Sequence, residues 1–395
     1  MVGRVIVAGG GLVGRTIAVA LASQSHLSVT LLAGPPPGRD ERASAVAAAG
    51  RRLFSRIGVW PHVADVAQPI EDMVITDSRA DDLIRPEALS FEGERGAPFA
   101  YMVPNAALYG ALTDRCAALG ITEIAASATY YTEAERTITV ELDNGDTITG
   151  DVLVAADGRA SRLRGIAGIG VVEKHYGQCG IVGTVAHEDP HYGRATQHFL
   201  PNGPFAMLPL TGNRSSIVWT ERPQFAKTLV EMDPFIAGLE IERVFGLSLG
   251  RLTVEAPLMM HPLSAHLARD FARGRLVLAG DAAHGIHPLA GQGLNLGLRD
   301  AAALSEVLVD AGRQGEDLSL ALPRYARWRR ADAAQMLLVT DQLNALFSRR
   351  SDLMRAVRSI GLGLVDRRDK LKSLFIQEAA GIEGEIPRLM RGDAL

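Results

Sequence analysis

The residues with most chemical potential lie between Gly280 and Asp300. Gly280-Asp281 follows an apolar run, Arg275 to Ala279, that reads as a buried strand. Pro288 and three closely spaced glycines, Gly291, Gly293 and Gly297, come next, and an apolar helical pattern runs from Leu294 to Leu308. Strand, acid, glycine turn and helix is the order in which a chain brings backbone amides and a helix N-terminus up to a polar cofactor.

Two further segments have the same logic. Arg4 to Ala8 is a short apolar run, Gly9-Gly10-Gly11-Leu12-Val13-Gly14 follows it, and a helical pattern, Arg15 to Ala22, comes next. This is G-x-G-x-x-G between strand and helix, the setting that a dinucleotide fingerprint requires. Gly9 permits the turn, Gly11 lets backbone approach a diphosphate, and Gly14 lets helix pack on strand. The helix start brings about half a positive charge. The third segment is the apolar run Val152 to Ala155, which leads to Asp157-Gly158 and a polar turn with Ser161 and Arg164.

In this order and spacing, the three segments resemble the class A flavin monooxygenases of the para-hydroxybenzoate hydroxylase fold, and within them the ubiquinone-biosynthesis hydroxylases. The resemblance rests on His287-Pro288-Leu289-Ala290-Gly291-Gln292-Gly293-Leu294-Asn295 through Asp300, on Tyr325, Arg329, Arg330, Asp332 and Thr340-Asp341, and on the ending Gly381 to Gly392. It implies FAD as cofactor, NAD(P)H as transient reductant, O2 as co-substrate, and ring hydroxylation through a flavin hydroperoxide. It places Asp281, after Gly280, on the ribityl hydroxyls. Pro288, Gly291, Gln292, Gly293, Leu294 and Asn295 surround the flavin ring, with Pro288, Gly291 and Gly293 nearest the reacting atoms. Gly9, Gly11, Leu12, Val13 and Gly14 meet the diphosphate. Arg42 faces it with a bidentate fork suited to phosphate oxygens, Asn105 reaches the flavin side chain, and Asp157 touches the diphosphate region. No side-chain base is assigned. The acid that usually ends the second strand and binds the ribose is absent, because Ala33 stands there.

The elements that must position these groups form an α/β fold, a Rossmann-like FAD-binding domain interleaved with an antiparallel-sheet substrate domain, followed by a C-terminal helical segment. The cofactor lobe takes residues 1–70, 100–174 and 270–345. The substrate lobe takes 71–99 and 175–269, and 346–395 is helical. A single helix is read over Ala43 to Arg56, and one helical interval near Phe225 to Leu239. Asn144-Gly145 between alternating segments marks a hairpin. In the substrate lobe, Phe199, Phe205, Met207 and Pro209 are the candidates for the aromatic pocket.

Composition narrows the class. A net charge of −4 over 395 residues leaves no bulk electrostatic footprint for nucleic acid. Cys116 and Cys179 do not form a metal-spaced pair, and a metal site is not expected at His284 and His287. With only these two cysteines a reduced cytoplasmic compartment is expected, and no run reaches the roughly 18 apolar residues of a membrane span. The stretch 349–372 holds eight basic and three acidic residues. Its apolar stripe fits either a solvated face or a helix lying on the inner face of the membrane. The resemblance implies a polyprenylphenol intermediate of quinone synthesis as substrate and a biosynthetic complex as partner. A soluble aromatic or polyketide substrate, and a non-catalytic flavin-binding component of such a complex, are the competing readings. A flavin halogenase is disfavoured, since no Trp-x-Trp-x-Ile-Pro run occurs.

Overall fold

The computed structural model describes residues 3–35, 38, 40–77, 85, 87–92, 98–287, 292–347 and 384–395. Its first sheet has six strands in the order Ala272–Arg273, Leu276–Leu278, Val152–Ala155, Arg4–Ala8, Ser28–Leu32 and Thr122–Ile124. All but the short first one are parallel. The central strands are nearly continuous Val, Ile and Leu because both of their faces are covered. The helix Leu12–Gln24 makes the crossover between Arg4–Ala8 and Ser28–Leu32, and the helix Gln292–Gln314 packs beside it. Ala8 pairs with Leu32 and with Ala155, and Ala155 with Leu278. The carboxyl ends of four parallel strands therefore share one edge, where open α/β sheets bind ligands.

The second large sheet has nine strands among the described residues. The strand Val171–His187 runs antiparallel to Met259–Ala268 and Arg214–Glu221. Gly203–Leu210 and Arg194–Leu200 continue the antiparallel order, and Asp72–Asp77 then joins in parallel. One face packs on the helices Pro223–Glu231 and Pro234–Phe245 through Phe205, Ile217, Trp219 and Phe245. The expected single helical interval is thus two helices. Met232 ends one and Asp233 caps the next, accepting from Phe235 N at 2.9 Å, with Pro234 at the first helical position.

A small sheet, Ala43–Ala47, Ala100–Pro104 and Gln68–Ile70, bridges the two large ones. It corrects the helix read over Ala43 to Arg56, since the helix begins only at Ala48. Alanine favours helix, but full antiparallel pairing of Ala43–Ala47 with Ala100–Pro104 outweighs that local preference. The Asn144-Gly145 hairpin forms as read, with Gly145 at φ 89°. Near the C-terminus a short helix, Arg388–Arg391, buries Leu389 and Met390, and Arg388 N donates to Glu306 Oε2 at 2.7 Å. The basic stretch 349–372 lies outside the described residues.

Candidate functional site

A cavity of about 860 Å³ runs from the carboxyl edge of the parallel sheet to the inner face of the nine-stranded sheet. That is within the size range of pockets that bury a cofactor-sized ligand.

The first glycine loop forms one end. Gly9 has φ 128°, and a Cβ there would lie 2.1 Å from Ala156 O. A Cβ on Gly14 would lie 1.9 Å from Gly9 O. Both positions therefore require glycine for folding itself. Gly11 differs: no heavy atom lies within 4 Å of its would-be Cβ, and it lines the cavity with Leu12, Val13 and Gly14. It is the N-cap of Leu12–Gln24, which has no side-chain cap and no acid in its first turn. The amides and the positive end of this helix are left for an anion.

Arg42 lines the same cavity, held by Asp40 through Nε at 2.7 Å and Nη2 at 2.8 Å. Burial would raise the Asp40 carboxyl, but hydrogen bonds from Arg42 and Asn105 outweigh it and hold the group at about 2. Asn105 donates to Asp40 Oδ2 at 3.0 Å and accepts from Ser44 Oγ at 2.7 Å. Sequence reading picked out Arg42 and Asn105 but missed that Asp40 joins them. The spacing Asp40-x-Arg42 was the available signal.

Asp157 lies between the cavity-lining residues Ala156 and Gly158, with its Oδ1 buried and without a partner among the described residues. Its Oδ2 accepts from Leu163 N at 3.3 Å, and it is not among the cavity-lining residues. The carboxylate turns into the start of the helix Arg162–Ile166, where Ser161 Oγ also accepts from Arg164 N. Gly158, with φ 83° and open space where a Cβ would be, takes the place at the cavity.

Asp281 is exposed into the cavity, its position set from behind. Asp300 accepts from Gly280 N at 2.9 Å, His284 Nε2 at 2.6 Å and Arg329 Nε at 2.8 Å. Burial would push the Asp300 carboxyl up, yet the neighbouring His284 and Arg329 bring it below the usual value. Val13 packs on Gly280 and would meet a Cβ on Gly297 at 2.6 Å, so the two glycine segments are one packed unit. Arg329 and Asp300 were named for resemblance alone, and their pairing is what fixes the turn.

Gln292, Gly293, Leu294 and Asn295 line the cavity, and Pro288 and Gly291 lie outside the described residues. Asn295 also ties the helix to the small sheet, donating to Ala45 O at 2.8 Å and accepting from Ala47 N at 2.9 Å. Ala33 is buried at the end of Ser28–Leu32 with no carboxylate in its place. Beside it, Arg15 is only 2% exposed and pairs with Glu123 at 2.7 Å, donating also to Gly10 O and Tyr109 Oη. This brace of the glycine loop was not anticipated.

The substrate-side residues need a correction. Pro204, Ala206, Leu208 and Val218 line the cavity. Phe205 and Met207 belong to the core on the opposite face, and strand alternation puts Pro209 there too. Phe199 pairs with Pro204, so it shares the cavity-side face without lining the cavity.

These pieces fit FAD on the structure's own terms. They are an uncapped helix start beside a glycine that leaves room, an arginine within the same cavity, and an exposed acid between them and an apolar sheet face. Comparison with known proteins agrees. Residues 3–340 match the family described as FAD binding domain. The chain is 41% identical to ubiquinone hydroxylase UbiL of Rhodospirillum rubrum, over 98% of this chain and 92% of that protein. It is 33% identical to 3-demethoxyubiquinol 3-hydroxylase of Escherichia coli, over 96% and 98% respectively. Among solved structures, p-nitrophenol 4-monooxygenase PnpA from Pseudomonas putida superposes with a TM-score of 0.81 at 19% identity, covering 98% of this chain and 99% of that one. The last of these speaks to fold alone.

Proposed function

Because this chain belongs to the FAD-binding family of aromatic-ring hydroxylases, we propose that it hydroxylates the ring of a polyprenylphenol intermediate in ubiquinone synthesis. The chain is an FAD-dependent monooxygenase, with NAD(P)H as reductant. The observation that carries the substrate reading is the continuity of one cavity from the glycine loop of Gly9–Gly14 to the apolar face around Ala206. In this assignment residues 1–70, 100–174 and 270–345 serve the cofactor, and 71–99 and 175–269 serve the ring.

Bound there, reduced FAD supplies oxygen activation. The protein's part is binding, orientation and exclusion of water. Gly11 and the first-turn amides of Leu12 and Val13 would hold the diphosphate, together with Arg42 in the same cavity. Asp281 accepts hydrogen bonds from ribityl hydroxyls. Gly293 and the start of the helix Gln292–Gln314 would steady negative charge on a flavin ring held there. Asn105 holds the side chains of Asp40 and Ser44, and Asn295 holds the backbone of Ala45 and Ala47. Asp157 braces the turn that carries Gly158 through Oδ2, and its Oδ1 is left for the diphosphate region. The apolar wall of Ala195, Pro204, Ala206, Leu208 and Val218 keeps water from the reacting carbon.

The names of the relatives favour a polyprenyl tail over a soluble aromatic. No helix among the described residues is long and apolar enough to cross a membrane. Peripheral contact at the inner face is proposed from the basic stretch 349–372, and membership of a quinone-synthesis assembly from the relatives' pathway. The test is turnover of a short-chain prenylphenol with NAD(P)H and O2 by the FAD-loaded protein. Oxygen-dependent product supports the reading. NAD(P)H oxidation with no oxygen in the ring, across prenylphenols, removes it in favour of another aromatic or a non-catalytic component.

A further inference from the structure

Four strands of the nine-stranded sheet, Asp72–Asp77, Arg194–Leu200, Gly203–Leu210 and Arg214–Glu221, turn an almost wholly apolar face to the cavity. Met73, Ala195, Pro204, Ala206, Leu208 and Val218 make up that wall, and among the described residues of these strands one polar side chain interrupts it, Gln197. Gln197 is 4% exposed. Its strand neighbours are Ile75 on one side and Ala206 on the other, neither of which offers a polar side chain. The Gln197 side chain lines the cavity, and its amide makes no hydrogen bond to another described residue.

Its surroundings sharpen the contrast. His198, the next residue, points to the opposite face and is engaged there, with Nδ1 2.8 Å from Thr76 Oγ1. Ser264 and His266, which line the cavity from the strand Met259–Ala268, are engaged as well. Arg159 bonds Ser264, and His266 contacts Asp281 O through Nε2 at 2.8 Å, its Nδ1 having no partner among the described residues. A side-chain amide carries two donors and an acceptor, and buried polar groups in folded proteins have partners. Gln197 faces the cavity.

We propose that Gln197 is a specificity-determining residue that hydrogen-bonds the ring oxygen of the substrate. Oε1 accepts from a phenolic hydroxyl, and Nε2 donates to the same oxygen once it is ionised. One amide therefore serves the phenol and the more nucleophilic phenolate. The assignment rests on the sheet side of the cavity being the aromatic pocket. It follows that the site selects rings bearing a hydroxyl, since a pocket that bonds a hydroxyl leaves its own polar group unpaired when the hydroxyl is missing.

The test uses FAD-loaded protein and two ligands, a short-chain prenylphenol and the prenylbenzene that lacks only the hydroxyl. Dissociation constants are read from the flavin absorbance change, with FAD content and thermal midpoint as folding controls. The wild type is expected to prefer the phenol by about tenfold or more. Gln197→Leu is expected to bind both ligands equally with FAD content unchanged, and Gln197→Met gives the same reading if the leucine variant loses FAD. A phenol preference retained in the variants overturns the role of Gln197 while leaving the pocket reading intact. A wild type that binds neither ring overturns the pocket reading, and the proposal with it.

Discussion

His284 Nε2 lies 2.6 Å from Asp300 Oδ2, and both residues are buried. The other oxygen of the same carboxylate holds Arg329, itself fully buried. This network carries no cavity-lining carboxylate, yet it fixes Gly280 N and with it the turn that presents Asp281. Asp300→Asn removes the charge and keeps the shape. Because Arg329 then loses a buried partner and retains only Asp332, a loss of about 3 kcal/mol is expected, the lower end for a broken buried pair. Urea denaturation of the FAD-free protein measures it, and an unchanged midpoint would mean that Asp300 does not bear this load.

Gly11 and Gly14 separate cofactor binding from folding. Gly14→Ala drives a methyl into Gly9 O, so soluble folded protein is expected to fall sharply. Gly11→Ala meets nothing in the protein and is expected to fold normally while binding FAD at least about tenfold more weakly, a cost of about 1.4 kcal/mol. Circular dichroism and FAD titration distinguish the two. Normal FAD affinity in Gly11→Ala would place the diphosphate elsewhere.

Acid should destabilise the protein well above the range in which carboxylates titrate. Burial pushes His287 down to about 4, and burial followed by the Arg85 charge does the same for His198. In the unfolded chain both titrate near 6.5. Between pH 6.5 and 4 the unfolded state therefore binds more protons, and stability falls as pH falls, with the full cost reached near 4. Each histidine contributes up to about 3 kcal/mol to that loss. Denaturation midpoints at pH 7.5, 6 and 5 check the slope, and His287→Phe is expected to flatten it. Identical slopes in variant and wild type would show that His287 titrates normally in the fold.

Much of the cofactor end was legible because its constraints are local. A glycine with φ 128°, a helix start without an acid and an acid after a buried strand each leave a mark within a few residues. What was missed depends on pairing distant in sequence. Ala43–Ala47 is a strand only because Ala100–Pro104 lies beside it. In Phe205-Ala206-Met207-Leu208 every residue is apolar, as in strands covered on both faces, so no alternation says which face meets the cavity. A shift of one residue exchanges the two faces, which is how Phe205 and Met207 were assigned to the wrong side. The turn bond of Asp157 is long-range information of the same kind: an acid before glycine at a strand end can face a ligand or its own turn, and only the fold shows that Oδ2 meets Leu163 N while Oδ1 is left without a partner. Gln197, between Thr196 and His198, has no sequence mark at all.

The central claim is that this cavity binds FAD and uses it to put oxygen on a prenylphenol ring. The most direct test is to purify the protein, identify its released cofactor, and incubate the FAD-loaded form with NAD(P)H, O2 and a short-chain prenylphenol under mass spectrometry. Bound FAD and a product about sixteen mass units heavier, its oxygen derived from O2, is the predicted result. Protein that fails to bind FAD when it is supplied would contradict the account, and would mean that the missing carboxylate at Ala33 is not compensated by the rest of the site.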